Sequence, residues 1–300
     1  MPNALRYIFL LLLSLLGELV YAQKEANIWY FGKFLGLDFN SGTAVPLNNG
    51  LLNTLEGVAT ISNTNGNLLF YTDGVVIRNK VHLIMPNGSG LFGNPSSTQS
   101  AIIVPKIGDS IRYYVFTVDA LLGTRGINYS VVNMTLDNGN GDVELKNVPI
   151  NNNSVEKITA VKHCNNRDIW VIAHDTASNG YYSYLVSSLG VNTTAIMSYT
   201  GTVLPGVIPP ASFDTSWLGY LKASPDGKKI AASHSTVNLD ISDFDNATGL
   251  ISNSISLFQP GDPDYFNYGV EFSPDSKLLY ATVFYKENVT NFTKNAIFQY

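Results

Sequence analysis

Apolar and polar positions alternate in short runs along this chain. Clusters of Gly, Asn, Asp, Ser and Pro separate the runs, and no long stretch carries a helical period. Period-two alternation broken by turn residues predicts strands rather than helices. Two runs match position for position: ASPDGKKIAA at 223–232 and FSPDSKLLYA at 272–281, an offset of 49. Each reads as strand, tight turn, strand. Pro presets φ, Asp bonds nearby backbone and Gly accepts positive φ. A repeat of this length built from short strands predicts a β-propeller.

The same strand ending recurs upstream in LLFYTDG (68–74), YVFTVDA (114–120) and WVIAHDT (170–176), aligned with IAASHST (230–236) and LYATVFY (279–285). The steps from Asp73 to Asp119, Asp175, Ser235 and Phe284 are 46, 56, 60 and 49 residues, near one blade each. These runs predict five inner hairpins, each followed by outer strands. LDISDFDNATGLIS (239–252) turns between outer strands at 246–249, and 127–150 does so at 137–141. Imperfect alternation fits sheets covered on both faces by neighbouring blades. Residues 27–47 read as an outer-strand pair with no inner hairpin before it, and NAIFQY at 295–300 as an outer strand without its partner. The expectation is therefore an all-β propeller, seven-bladed when complete and cut short after about five blades.

The first 22 residues read differently. Arg6 and the amino terminus precede an apolar run at 7–16, the length of a signal-peptide core and too short to span a bilayer. Val20-Tyr21-Ala22 predicts cleavage before Gln23, with residues 23–300 forming the propeller domain. No Cys follows that site, which disfavours a lipid-anchored form. A secreted or cell-surface location follows, with no integral membrane segment after cleavage. Aromatics at 12% and charged residues at 14% agree with a secreted β domain. The net charge of −5 carries no basic patch, which argues against nucleic acid as a partner. The single Cys164 excludes an internal disulfide framework, and it lacks a catalytic signature around it.

The chemistry is sparse. No metal-protease, nucleophile-elbow, phosphate-loop or dinucleotide motif occurs, so no catalytic, cofactor-binding or metal residue is assigned and no cofactor is expected. DNGNGD (137–142) lacks the calcium-loop ligand spacing and reads as a hairpin turn. One candidate set remains. Asp73, Asp119 and Asp175 each follow an inner strand, and His174 and His234 occupy equivalent blade positions, so all five fall at one tunnel mouth. Such a polar ring would attract a cation or basic partner. The competing reading is local: each Asp caps its own turn, and the histidines are ordinary strand-end residues.

Several segments together resemble one family: NIWYFG, GLDF, TLEGVATISNTNGNLLFYTDG (54–74), GNPSSTQSAIIVP (93–105) and YGVEFSPDSKLLY (268–280). It is the N-terminal propeller region, with WD40- or YVTN-like blades, of large surface proteins in gliding-type bacteria. Those proteins are exported by type IX secretion and end in a type B, gliding motility-associated sorting domain. The resemblance implies surface display and a binding or adhesion role toward a protein or glycan. Two alternatives stand beside it: a propeller enzyme of lactonase or dehydrogenase-subunit type, and a structural assembly subunit. Fold alone does not choose among them.

Overall fold

The computed structural model describes residues 24–120, 123–205, 215–257, 265–288 and 291–300. The expected signal peptide, residues 1–22, lies outside them. The described residues form 23 strands and two single turns of 3₁₀ helix, Asp137–Gly139 and Thr215–Trp217. None of their helices is long and apolar enough to cross a membrane.

The strands make six antiparallel sheets in chain order, the blades of a propeller. Blade 1 holds β1 (Ile28–Phe31), β2 (Leu35–Asp38) and β3 (Val45–Leu47). Blade 2 holds β4 (Ala59–Ser62), β5 (Leu68–Thr72), β6 (Val76–Asn79) and β7 (Ile84–Ser89). Blade 3 holds β8 (Ala101–Pro105), β9 (Arg112–Val118), β10 (Ile127–Asn133) and β11 (Asp142–Asn151). Blade 4 holds β12 (Ile158–Lys162), β13 (Ile169–His174) and β14 (Gly180–Ser187). Its outer edge is split between β15 (Gly190–Val191) and β16 (Ile196–Tyr199). Blade 5 holds β17 (Leu221–Ala223), β18 (Lys229–His234), β19 (Asn238–Asp245) and β20 (Leu250–Ser256). Blade 6 holds β21 (Tyr265–Phe272), β22 (Leu279–Asn288) and β23 (Asn291–Gln299).

The five predicted inner hairpins are the first two strands of blades 2 to 6. The matched turns are built alike. Ser224 Oγ donates to Asp226 Oδ1 at 2.6 Å and accepts from the Lys229 N–H at 2.9 Å. Ser273 Oγ does the same with Asp275 at 2.6 Å and the Leu278 N–H at 2.9 Å. Gly227 takes a φ of 69° at the turn, and Ser276 is held at 61° in the equivalent place.

The expected blade count needs correction. The described strands make six blades rather than about five, because 27–47 is a three-stranded sheet of its own rather than an outer pair. Ile28 to Phe31 register against Asp38 to Leu35, and β2 pairs β3. The direction of β1 explains the misreading. The Glu25 carbonyl accepts from the Ser62 N–H at 2.8 Å, and the Tyr30 N–H donates to Thr60 Oγ1 at 3.1 Å, so β1 runs antiparallel to β4. Strands at one blade position run the same way around the axis, so β1 stands in the second-strand position. IWYF corresponds to LLFYT, WVIAH and their equivalents.

The core is divided among the seams between blades. Phe70, Ile77 and Met85 of blade 2 meet Ala101, Val115 and Val132 of blade 3. Phe116, Val118 and Val131 of blade 3 meet Val171 and Tyr184 of blade 4. Similar clusters join blades 4 and 5, 5 and 6, and 1 and 2. Each buried large apolar side chain contributes about 1.5–3 kcal/mol. Stability therefore resides in face-to-face blade contacts rather than in one central core.

Candidate functional site

The three candidate aspartates are each engaged in the turn that follows their strand. Asp73 Oδ1 accepts from the Val75 and Val76 N–H groups at 2.9 and 2.8 Å. Asp119 accepts from the Ala120 N–H at 2.9 Å and the Arg125 N–H at 3.3 Å. Asp175 accepts from the Ser178 hydroxyl and, at 3.0 Å, from the Tyr182 phenol. Each carboxylate is thus held by groups close to it in the chain, backbone for Asp73 and Asp119 and side chains for Asp175.

The histidines do converge. Their rings lie 5.2 Å apart, both fully buried at the seam of blades 4 and 5. His174 also packs edge-on against Tyr181 at 4.4 Å. Beside them Lys157 is completely enclosed. Its ammonium donates to the carbonyls of Leu218 and Ser233 and sits 3.5 Å from His234 Nδ1. Asp240 Oδ2 lies 3.7 Å from His234 Nε2. Burial pushes the Lys157 amine down to about 7, against the opposing pull of Glu156 and Asp240. Burial, aided by the neighbouring Lys157 charge, pushes His174 down to about 3 and His234 well below its usual range. Both imidazoles are neutral at pH 7, so this cluster joins two blades and presents no positive ring to solvent.

A second set of polar residues, not identified from the sequence, gathers where the connections enter the inner strands. Glu156 Oε2 accepts from the Thr98 N–H at 2.8 Å. Thr98 Oγ1 accepts from the Tyr268 phenol at 3.2 Å and the Gly219 N–H at 3.3 Å. Gln99 reaches across to blade 5, donating to the Leu221 carbonyl at 3.1 Å and accepting its N–H at 2.8 Å. Glu56 comes from the connection into β4. Burial raises its carboxyl, and a bond to Tyr268 partly offsets the rise. Burial likewise raises the Tyr268 phenol. Five blades thus contribute to one node. The signal that could have found it is phase: Glu56, Thr98 and Glu156 each precede their inner strand by two or three residues.

From that node a groove of about 480 Å³ opens over blade 6. Tyr220, Tyr268, Tyr280, Val270 and Ile297 line it, and Glu271 stands at its side in a 2.7 Å ion pair with Lys222. The Tyr220 and Tyr268 rings are 5.8 Å apart, and Phe266 lies nearly parallel to Tyr268 at 6.1 Å. An apolar cleft with a few placed polar groups has the usual make-up and size of a ligand site. A second hollow, about 400 Å³ between the hairpin turns of blades 4 and 5, is lined by His163, Asp226 and Asn246.

No protein-family model and no curated protein sequence matches this chain. Solved structures similar to it include a proposed 6-phosphogluconolactonase from Bacteroides fragilis. That protein is 14% identical with a TM-score of 0.42, over 89% of this chain and 78% of the other. A proposed exo-β-1,3-galactanase from Bifidobacterium bifidum is 12% identical with a TM-score of 0.41, over 93% and 87%. An exo-β-1,3-galactanase from Clostridium thermocellum is 10% identical with a TM-score of 0.39, over 71% and 50%. Likeness at this level assigns neither a family nor a chemistry to this chain.

Proposed function

We propose that this chain is the propeller of an exported surface protein and acts there as a binding or adhesion module. The observation that carries the reading is the tyrosine-lined groove on blade 6, which ends on the Tyr268–Thr98–Glu156 node. Aromatic side chains supply large contact area at small entropy cost, and the Lys222–Glu271 pair supplies both donors and acceptors at the rim. A surface protein or glycan is the partner. Residues 1–22 direct export and are then removed, and the segments resembling type IX surface proteins suggest the route.

The test is adhesion. Labelled protein should bind whole bacterial cells saturably, and Tyr268→Ala or Tyr280→Ala should weaken binding at least tenfold while the fold survives. Saturable binding that both variants leave unchanged would exclude the groove. A second reading, a lactonase-type hydrolase, is favoured by the raised Glu56 carboxyl beside Tyr268. It predicts lactone turnover that Glu56→Gln abolishes.

A further inference from the structure

In the aligned strand endings, the position before Asp73, Asp119 and Phe284 holds Thr72, Val118 and Val283. In blades 4 and 5 the same position holds His174 and His234. Two neighbouring blades thus place an imidazole where the others have Thr or Val, and both rings are fully buried at the seam they share. His174 donates its Nδ1–H to the Asp175 carbonyl at 2.8 Å, which leaves Nε2 of the neutral ring an acceptor. Among the described residues neither that Nε2 nor the Nε2 of His234 has a hydrogen-bond partner, and the buried Tyr181 hydroxyl has none either. Buried polar atoms left unpaired cost stability, so the pair is not explained by packing alone. We propose that the seam of blades 4 and 5 is an acid-operated latch, which stays closed while His174 and His234 are neutral and opens as they take up protons.

The surroundings set the direction of the switch. Lys157, on the connection into β12, is enclosed with the rings and lies 3.5 Å from His234 Nδ1. Its ammonium spans the seam by donating to the Ser233 carbonyl of β18. A proton added to either imidazole sets a second positive charge near it, away from water. Three carboxylates face the cluster, each already engaged. Asp240 of β19 stands 3.7 Å from His234 Nε2 and accepts the Thr202 N–H at 2.6 Å. Glu156 accepts from the Thr98 N–H, and Asp175 from the Ser178 and Tyr182 hydroxyls. Ser216 meets His234 through its backbone, and Tyr181 of β14 packs on His174. Burial in the closed seam therefore holds both rings below the ordinary value of 6.5, and an open seam returns them to water. Below that value the open form binds protons that the closed form excludes. Closure is thus strongest above it and weakens as pH falls, by up to about tenfold per unit for each ring. The seam of blades 2 and 3, by contrast, is filled by Phe70, Met85 and Val115, which take up no proton.

The test is hydrogen exchange on the purified chain between pH 7 and 5, corrected for intrinsic rates. The Cys164 N–H donates to the Asn246 carbonyl at 3.2 Å and the Ile251 N–H to Ser198 Oγ at 2.9 Å, both across the seam of blades 4 and 5. The Phe92 N–H crosses the seam of blades 2 and 3 to Asn147 Oδ1 at 3.1 Å and serves as the control. Protection at Cys164 and Ile251 should fall about a hundredfold or more over that range, with Phe92 changed by less than about threefold. In the double variant His174→Gln, His234→Gln the fall should shrink to below about tenfold. The imidazole resonances of the unaltered protein give a readout that needs no variant. They should keep their neutral positions until the cross-seam N–H groups lose protection. Unchanged protection at Cys164 and Ile251 would overturn the proposal, as would an equal loss at Phe92. So would rings that titrate near 6.5 while the seam stays protected, or a folded double variant that keeps the full pH dependence.

Discussion

Ser276 shows how a single backbone angle enters the account. It occupies the place that Gly227 fills in the preceding blade, at a φ of 61° where a side chain is disfavoured. Ser276→Gly should stabilise the protein by about 0.5–1 kcal/mol, and Gly227→Ala should destabilise it by a similar amount, both read from urea midpoints at unchanged slope. The Ser276 hydroxyl accepts the Asp226 N–H at 3.0 Å, so a gain smaller than this would assign that bond the difference. Lys157 is the second case. Its amine sits near 7 in the fold against 10.5 in a free chain. Between those values the unfolded chain holds a proton that the folded chain has released, so stability rises with pH, by up to about 1.4 kcal/mol per unit. Melting followed from pH 7 to 9 should show this rise. Lys157→Met should flatten it and lower stability overall, by leaving the Leu218 and Ser233 carbonyls without their donor.

At the scale of elements, the repeat was legible because turn chemistry is local. Ser-Pro-Asp-Gly states its own conformation, and the strands on either side of it follow. The five inner hairpins and the turns at 137–141 and 246–249 lie where turn residues and apolar runs placed them. β1 was harder to place. Its pattern, IWYF, fits any strand position, and only its direction against β4 shows which one it holds. The central node was harder to see for a related reason. Glu56, Thr98, Glu156 and Tyr268 lie far apart in the chain, and apart from the shared phase of the first three before their inner strands nothing marks them as partners. His174 and His234 were paired from repeat phase alone, and they do meet. The same phase places Asp73, Asp119 and Asp175 alike, each on its own turn. At this scale Glu156→Gln should weaken the bond to the Thr98 N–H and cost about 1–3 kcal/mol. Phe116→Ala, at the seam of blades 3 and 4, should cost about 3–5 kcal/mol by opening a cavity. Thermal or urea unfolding checks both, and a loss below about 0.5 kcal/mol would contradict the assigned role.

For the whole molecule, the seams and the node together make six separate sheets one body. Each seam joins neighbours in the chain, as in any stacked repeat array. The node adds ties that skip blades: Thr98 and Gln99 enter blade 3 yet bond Gly219, Leu221 and Tyr268 of the fifth and sixth units. Such ties require the blades to curve around one axis and bring the groove of blade 6 beside the connections of blades 2 to 4. The most direct test is a nuclear Overhauser measurement on labelled protein. The account predicts a cross-peak between the Gln99 side-chain amide and the Leu221 backbone N–H, 122 residues apart. Its absence from an otherwise assigned spectrum, with Gln99 exchanging freely with solvent, would contradict this arrangement of the blades and the site built on it.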